Sequence, residues 1–406
     1  MNVIENRLYI GEIPAEDVVK KYGTPLYVYD EETIRFKYKE LADCFSYPNV
    51  KISYACKANT NHAILKILLG EGAGIDAVSP GEVLVALNAG FKPEDILFTA
   101  TSVTDEELQF CIKKKILVNV DSISELERYG KLNPRSRVSL RINPAVGAGH
   151  HDNVITGGPH SKFGIWVGDL DQAAAIAGKY GLQIVGLHQH IGSGILDTKK
   201  FLNAMDVLLA AARNFKGLEF INFGGGIGVP YSPSDNPVSL ELFGSMASSS
   251  LEKFAESYGK QLAFIFEPGR FLVAEAGALL CTVNTLKETP SHKFVGVDTG
   301  FNHLIRPMAY GSYHPVVKIN EVESAQREKV IVAGNICETG DVFTPEDREL
   351  PLIAEGDILA IMVAGAYGYS MSSNYNTRPR PAEILVSGKR MSVIRPAEKI
   401  AELVGK

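Results

Sequence analysis

Cysteine is scarce in this chain of 406 residues, which holds five at scattered positions, Cys44, Cys56, Cys111, Cys281 and Cys337. No CxxC pair or Cys/His spacing joins them, which argues against a disulfide framework and against a zinc site, so no metal is expected and a reducing cytoplasm is. Cations are not in excess either. Forty-one Lys and Arg stand against 47 Asp and Glu, a net charge of -6, and no basic run reverses that locally, so a nucleic-acid partner is not expected. No stretch is apolar over the length of a membrane span. The first residues, Met-Asn-Val-Ile-Glu-Asn-Arg, carry charges where a signal peptide needs an apolar centre, so the expectation is a soluble protein away from the membrane. Short-period repeats, low-complexity tracts and long linkers are missing as well. What is present is 45% hydrophobic and 22% charged residues, enough for one large domain and a smaller one that need no cross-links. The ligand should be small.

From about residue 50 to 270, short runs rich in Val, Ile and Leu alternate with segments of helical period, the pattern of parallel strands joined by crossover helices. Eight runs qualify: 50–55, 74–78, 96–99, 117–120, 137–142, 184–188, 220–223 and 263–266. Thr104 with Glu107 reads as a capping box, and Leu65, Leu68 and Leu69 as the buried face of a helix. A doubly wound sheet also alternates in this way, so the count favours a (β/α)8 barrel without deciding it. What favours it further is that distinctive polar residues or glycines follow most of the runs. They are Lys57, Asp76, Asp121, Arg141 with Asn143, His190 with Ser193, Gly224 to Gly226, and Glu267 with Arg270. In a barrel, the ends of all eight strands converge on one mouth, where active sites assemble. After about residue 285 strand-like runs follow without long helices, at 293–297, 315–319, 329–333, 358–363 and 384–386. These predict a separate β domain.

Lys57 stands in Tyr-Ala-Cys-Lys-Ala-Asn at the end of the first run. Partial desolvation there would make its amine nucleophilic toward an aldehyde, although most lysines are simply solvated. Phe-Gly-Gly-Gly-Ile-Gly, residues 223–228, follows the seventh run. Its glycines would let backbone N–H groups approach a phosphate, with the Ser193 hydroxyl as a further donor, and a tight turn is the plain alternative. Glu267 opens Glu-Pro-Gly-Arg, residues 267–270, and could keep a pyridine nitrogen protonated or could merely pair with Arg270. His190 could lie flat on an aromatic ring. His188, two residues earlier, raises a two-histidine metal site, but a core histidine is the simpler fate. In the C-terminal region, Arg306 and Tyr310 in Ile-Arg-Pro-Met-Ala-Tyr, Cys337 and Glu338 in Cys-Glu-Thr-Gly-Asp, and Tyr367 in Gly-Ala-Tyr-Gly are each weak signals. Taken singly they read as a loop cation, a small buried hydrophobe and a strand-end aromatic.

In this order, and joined by Ser-Lys-Phe-Gly, His-Ile-Gly-Ser and the Tyr-Asn…Arg-Pro-Arg-Pro tail, these stretches resemble the fold-type III pyridoxal-phosphate decarboxylases, whose architecture is like that of alanine racemase. The resemblance runs through nearly the whole chain. It implies a barrel over residues 31–284 and a β domain made of residues 285–406 together with 1–30. It implies pyridoxal 5′-phosphate on Lys57, with His190 stacked on the ring and Glu267 at the ring nitrogen. Ser193, Gly225, Gly226, Arg270 and Tyr367 would surround the phosphate, with Asp76, Pro268 and Gly269 also at the cofactor. Cys337, as candidate proton donor, and Glu338 resemble residues delivered by a second subunit, which implies a homodimer with shared active sites. Arg306 and Tyr310 match the diaminopimelate branch of the family, where they resemble groups that bind the substrate's distal carboxylate, with Glu338 near its distal ammonium; Arg270 and Tyr367 are expected to touch the substrate as well. Asn335, Ala309 and Gln189 depart from the branch pattern. The expected reaction is loss of CO2 from meso-2,6-diaminopimelate to give L-lysine. The alternatives are another basic amino-acid decarboxylase of carboxynorspermidine or ornithine type, and a silent protein-binding homologue.

Overall fold

Residues 1–145, 147, 149, 151 and 156–405 are described by the computed structural model. They form two units. One comprises residues 37–229 and 236–271, the other residues 1–36, 230–235 and 272–406.

The first unit is a closed barrel of eight parallel strands: β1 Val50–Ala55, β2 Gly74–Ala77, β3 Ile96–Phe98, β4 Leu117–Val120, β5 Arg137–Asn143, β6 Gln183–His188, β7 Phe220–Asn222 and β8 Ala263–Phe266. Each strand pairs with the next in sequence, and β8 pairs back to β1 through Phe264 opposite Val50. The eight expected runs agree with these strands to within one residue at each end. They are apolar because both faces of a barrel strand are covered, one by the interior and one by helices. Among the described residues, seven long helices lie between successive strands and provide the outer ring, and six of them start on a side-chain cap, from Asn61, Ser79, Thr104, Ser122, Asp197 or Ser239. Thr104 and Glu107 form the expected capping box. On the helix His62–Gly70, Leu65 and Leu68 are buried and Leu69 is half-buried. Leu97, Val185 and Phe220 close the N-terminal end of the barrel with an apolar plug.

The second unit is built on a mixed sheet in the order Arg348–Pro351, Arg327–Ala333, Lys293–Val297, Gly277–Glu288, Leu26–Asp30, Ala382–Ser387, Arg390–Arg395. Gly277–Glu288 is its spine, pairing antiparallel with Leu26–Asp30, Ile358–Ile361 and Lys293–Val297. Leu8, Ile10, Val28, Leu280, Ala360, Ile384 and Val386 make its core. The five expected strands are present, with bounds shifted by up to two residues. Four further strands of this sheet, Leu26–Asp30, Gly277–Glu288, Arg348–Pro351 and Arg390–Arg395, were not expected. No helix among the described residues is long and apolar enough to cross a membrane.

Candidate active site

Strand β1 ends in a single 3-10 turn, Cys56–Ala58, that lifts Lys57 out of the sheet. Its Nζ donates to Oδ2 of Asp76 on β2 at 2.6 Å, and the other oxygen of Asp76 accepts from the Thr99 hydroxyl just beyond β3. Burial would raise the Asp76 carboxyl, but the Lys57 ammonium and the Thr99 hydroxyl outweigh it and hold the group below its usual value. Three neighbouring strand ends thus fix one amine. Its side chain is 36% exposed, whereas Asp76 is buried.

Across the mouth, the loops after β6, β7 and β8 interlock. The chain after β7 passes so close to β8 that a Cβ on Gly225 would lie 2.1 Å from the Glu267 carbonyl oxygen, and Gly226 adopts φ +121°. No other residue type meets both demands. Ile195 N–H donates to the Gly226 carbonyl and Gly228 N–H to the Ile195 carbonyl, stitching the two loops together. The Gly225 N–H donates to Nδ1 of His190 at 3.1 Å, which puts the imidazole proton on Nε2. Burial, followed by the charges of Lys57 and Arg141, pushes His190 well below the usual histidine value, so the ring is neutral. Ser193 Oγ accepts from the Arg270 guanidinium at 3.1 and 3.3 Å. The N–H groups of Gly226 and Ile227 take no partner among the described residues. Donors are therefore presented here and not consumed, as an anion requires.

Glu267 is buried at 4% exposure. It does not pair with Arg270, the plain alternative: its Oε2 takes His188 Nε2 at 2.9 Å and its Oε1 takes the Asn222 amide at 2.6 Å. Each oxygen keeps a second lone-pair direction. Pro268 accepts from the Ala55 N–H, and a Cβ on Gly269 would stand 3.0 Å from the Cβ atoms of Ala55 and Ala58, so this segment backs directly onto the Lys57 turn. A charged pair ranked as strand-end polar residues but not as site residues completes the interior. Arg141 lies 3.5 Å from Asp121 and over the Phe163 ring, while Asp121 also accepts from the Thr101 hydroxyl and the Gly164 N–H. Burial pushes Asp121 up and Arg141 down from their usual values. Among the described residues no group of three or more His, Cys, Asp or Glu could hold a metal ion.

The remaining expected residues belong to the second unit. Arg306 opens the short helix Arg306–Tyr310, is 1% exposed, donates to Ser312 at 3.0 Å and lies over the Tyr231 and Tyr310 rings at 5.1 and 5.9 Å. It is thus a buried cation held between aromatic faces, not a loop cation. Cys337 and Glu338 are exposed on a loop pinned by the Asp341 carboxylate, which accepts from the Phe301 and Ile336 N–H groups. The plain alternative of Cys337 as a buried hydrophobe fails. Tyr367 lies six residues past the strand Ile358–Ile361 with φ +57°, a costly backbone for a bulky side chain.

Residues 31–274 match the family described as "Pyridoxal-dependent decarboxylase, pyridoxal binding domain". The diaminopimelate decarboxylase of Methanothermobacter thermautotrophicus is 47% identical, over 98% of this chain and 95% of that protein. This chain belongs to the pyridoxal-dependent diaminopimelate decarboxylase family. Two solved members are similar in structure. The M. jannaschii diaminopimelate decarboxylase, in complex with L-lysine, has a TM-score of 0.90 at 34% identity, covering 99% of this chain and 96% of that one. The Helicobacter pylori enzyme, also with L-lysine, gives 0.89 at 33%, covering 96% and 98%. A Vibrio vulnificus lysine/ornithine decarboxylase, at 22% identity and TM-score 0.80, shares the fold. The cofactor of this family, pyridoxal phosphate, fits the mouth on three counts: an amine held at its rim, a glycine loop with free N–H donors beside Arg270, and a buried carboxylate and a neutral imidazole just beyond the ends of β8 and β6.

Of the residues found here, Thr99, Asn222, Asp121, Arg141 and His188 were not among the expected site residues. The hydroxyl and amide among them are common residue types, and their partners lie far away in sequence. The usable signal was position: Asp121 directly follows the run 117–120, and Arg141 stands near the C-terminal end of the run 137–142.

Proposed function

We propose that the chain decarboxylates meso-2,6-diaminopimelate to L-lysine and CO2, using pyridoxal phosphate bound at the barrel mouth. The observation that carries this reading is the Lys57 amine fixed on buried Asp76, with Glu267 and neutral His190 set around the same mouth. Bound there, pyridoxal phosphate supplies an electron sink for the pair left behind when CO2 departs. Everything else falls to the chain's own residues. Lys57 holds the cofactor covalently, and Asp76 steers its amine. The Gly226–Ile227 donors, with Ser193 and Arg270, bind the phosphate. His190 offers an uncharged flat face to an aromatic ring. Glu267, a buried carboxylate, favours a proton on the ring nitrogen.

Arg306 supplies a planar fork suited to the carboxylate at the far end of the substrate, with Tyr310 beside it. Cys337 donates the proton that replaces CO2, and Glu338 receives the distal ammonium. Both are exposed in the single chain, which suits groups that a second copy takes up; we therefore infer a homodimer with shared sites. All five cysteines are unpaired and Cys337 is an exposed thiol, in keeping with a reducing cytoplasm.

Incubation with meso-diaminopimelate and pyridoxal phosphate should yield stoichiometric lysine and CO2. Borohydride should fix the cofactor on the Lys57 peptide, and Lys57→Ala should abolish both outcomes. Faster turnover of lysine or ornithine would replace this reading by a polyamine-type one, and a label on another peptide would misplace the site.

A further inference from the structure

Burying a carboxylate is costly unless its oxygens find donors. For Glu267, at 4% exposure, the donors come from the two preceding strands of the barrel, Asn222 on β7 and His188 on β6. Asn222 is an ordinary amide contact, and its own Oδ1 accepts from the Gly224 N–H. His188 is more informative. It is 1% exposed, and its Nδ1 is buried without a hydrogen-bond partner among the described residues. Because Nε2 faces a carboxylate oxygen, it carries the proton, and Nδ1 is bare. An unmatched ring nitrogen makes the imidazole a poor choice for simple packing, since an apolar side chain would fill the space with nothing left unsatisfied. What the imidazole adds is the Nε2–H aimed at Glu267. Around the pair, Asp76 on β2, Asp121 beyond β4 and His190 beyond β6 interact with His188, while Arg141 on β5 interacts with Glu267.

We propose that His188 is a positioning residue acting through Glu267: it fixes the second carboxylate oxygen, so that Glu267 meets the ring nitrogen of pyridoxal phosphate ionised and in one orientation. This rests on the reading of Glu267 as the partner of that nitrogen. The donor must come from β6 because β7 already occupies the other oxygen, and the bond spans 79 positions of sequence.

The test titrates apo-protein with pyridoxal phosphate, follows the visible absorbance of the bound cofactor across pH, and separates kcat from KM. Glutamine can place an amide N–H where Nε2 stood, and leucine cannot. His188→Leu should weaken cofactor binding and lower kcat by about 10- to 100-fold, the worth of a hydrogen bond to a charged group. Its KM for diaminopimelate should hold, and the pH at which the absorbance titrates should fall. His188→Gln should restore affinity and absorbance to within a few-fold. In a Glu267→Gln background, His188→Leu should add little, because both changes act on one contact. The proposal is overturned if His188→Leu keeps affinity, absorbance and kcat within about twofold, or if His188→Gln is as impaired as His188→Leu. Should leucine prevent folding, His188→Asn, whose amide falls short of the Nε2 position, takes its place with the same outcomes. If Glu267→Gln alone binds cofactor and turns over like the wild type, the assignment of Glu267 fails first and the proposal with it. If Glu267→Gln is impaired and His188→Leu is not, only the proposal fails.

Discussion

Lys57 and Cys337 sit on turns that are fixed in opposite ways. At Lys57 the side chain is held: Nζ lies on Asp76, Asp76 on Thr99, and Gly269 backs the turn. At Cys337 the backbone is held and the side chain is released. Its N–H donates to Asn376 Oδ1 at 3.1 Å, Arg378 donates to the Asn335 carbonyl at 2.8 Å, and Asp341 pins the loop, while the thiol has no partner among the described residues. Asn376 and Thr377 both adopt positive φ to make this possible, a conformation that costs about 1–3 kcal/mol per residue and survives only where the surroundings enforce it. A barrel end organises its own side chains. At Cys337 the loop is pinned and the thiol is left exposed, and the proposal that a partner uses this residue rests on that difference.

The strongest way to break this contrast is to separate the two residues onto different chains. Lys57→Ala should have no turnover, and Cys337→Ala should lose about 10²- to 10⁴-fold, the usual worth of a positioned proton donor. Mixed under conditions of subunit exchange, the two inactive variants should regain roughly a quarter of the wild-type sites, since random pairing makes half of the dimers mixed and each of those holds one intact site. No recovery despite demonstrated exchange would mean that each site draws both residues from one chain.

The same contrast explains what was legible in the sequence. Barrel strands are buried on both faces and announce themselves as apolar runs, so all eight were found. In the second unit, Gly277–Glu288 was missed because its buried first half, Gly-Ala-Leu-Leu-Cys-Thr-Val, gives way to an exposed polar half, and no single period describes both. Leu26–Asp30 was missed because it is five residues long and becomes a strand only through neighbours more than 200 positions away. Within the site, residues that act through spacing or backbone could be read, among them Lys57 at a strand end and the glycines of 224–226. Residues that act through a distant partner could not: nothing in the local sequence shows that Glu267 meets His188 and Asn222 instead of the nearby Arg270, or that Arg306 is buried against Tyr231.

Arg306 sharpens the comparison from the other side, being buried and aromatic-clad in the unit whose Cys337 is exposed. If it serves the distal carboxylate, Arg306→Met should lower kcat/KM for diaminopimelate by about 30- to several-thousand-fold, the cost of losing a partly buried charged pair. Cofactor attachment to Lys57 should stay intact. Lysine, which lacks that carboxylate, should be turned over no worse by the variant than by the wild type. Unchanged diaminopimelate turnover would make Arg306 a structural residue of its own unit.

The smallest effect concerns a neutral histidine in each unit. Burial keeps both His190 at the barrel mouth and His303 in the second unit uncharged; for His190 the proposed use is to stack on a ring, whereas His303 has its partners within the fold. It is buried, accepts from the Thr299 hydroxyl at Nδ1 and donates from Nε2 to the Pro379 carbonyl. Burial, opposed by the Pro379 bond and by Glu398 and aided by Arg378 and Arg380, brings it down to about 4. The unfolded chain, at an ordinary value near ~6.5, takes up its proton first as pH falls, so the native state loses ground from about pH 6.5 down to about 4 and no further. The full difference is about 3 kcal/mol, of which about 2 should be gone by about pH 5. His303→Gln can keep the bond to Pro379 and cannot titrate. Urea unfolding of both proteins should therefore show the wild type losing about 2 kcal/mol more than the variant between about pH 7.5 and about 5. Parallel curves would mean that His303 is already protonated in the native state, and the reading of a deliberately neutral ring would then hold for the barrel alone.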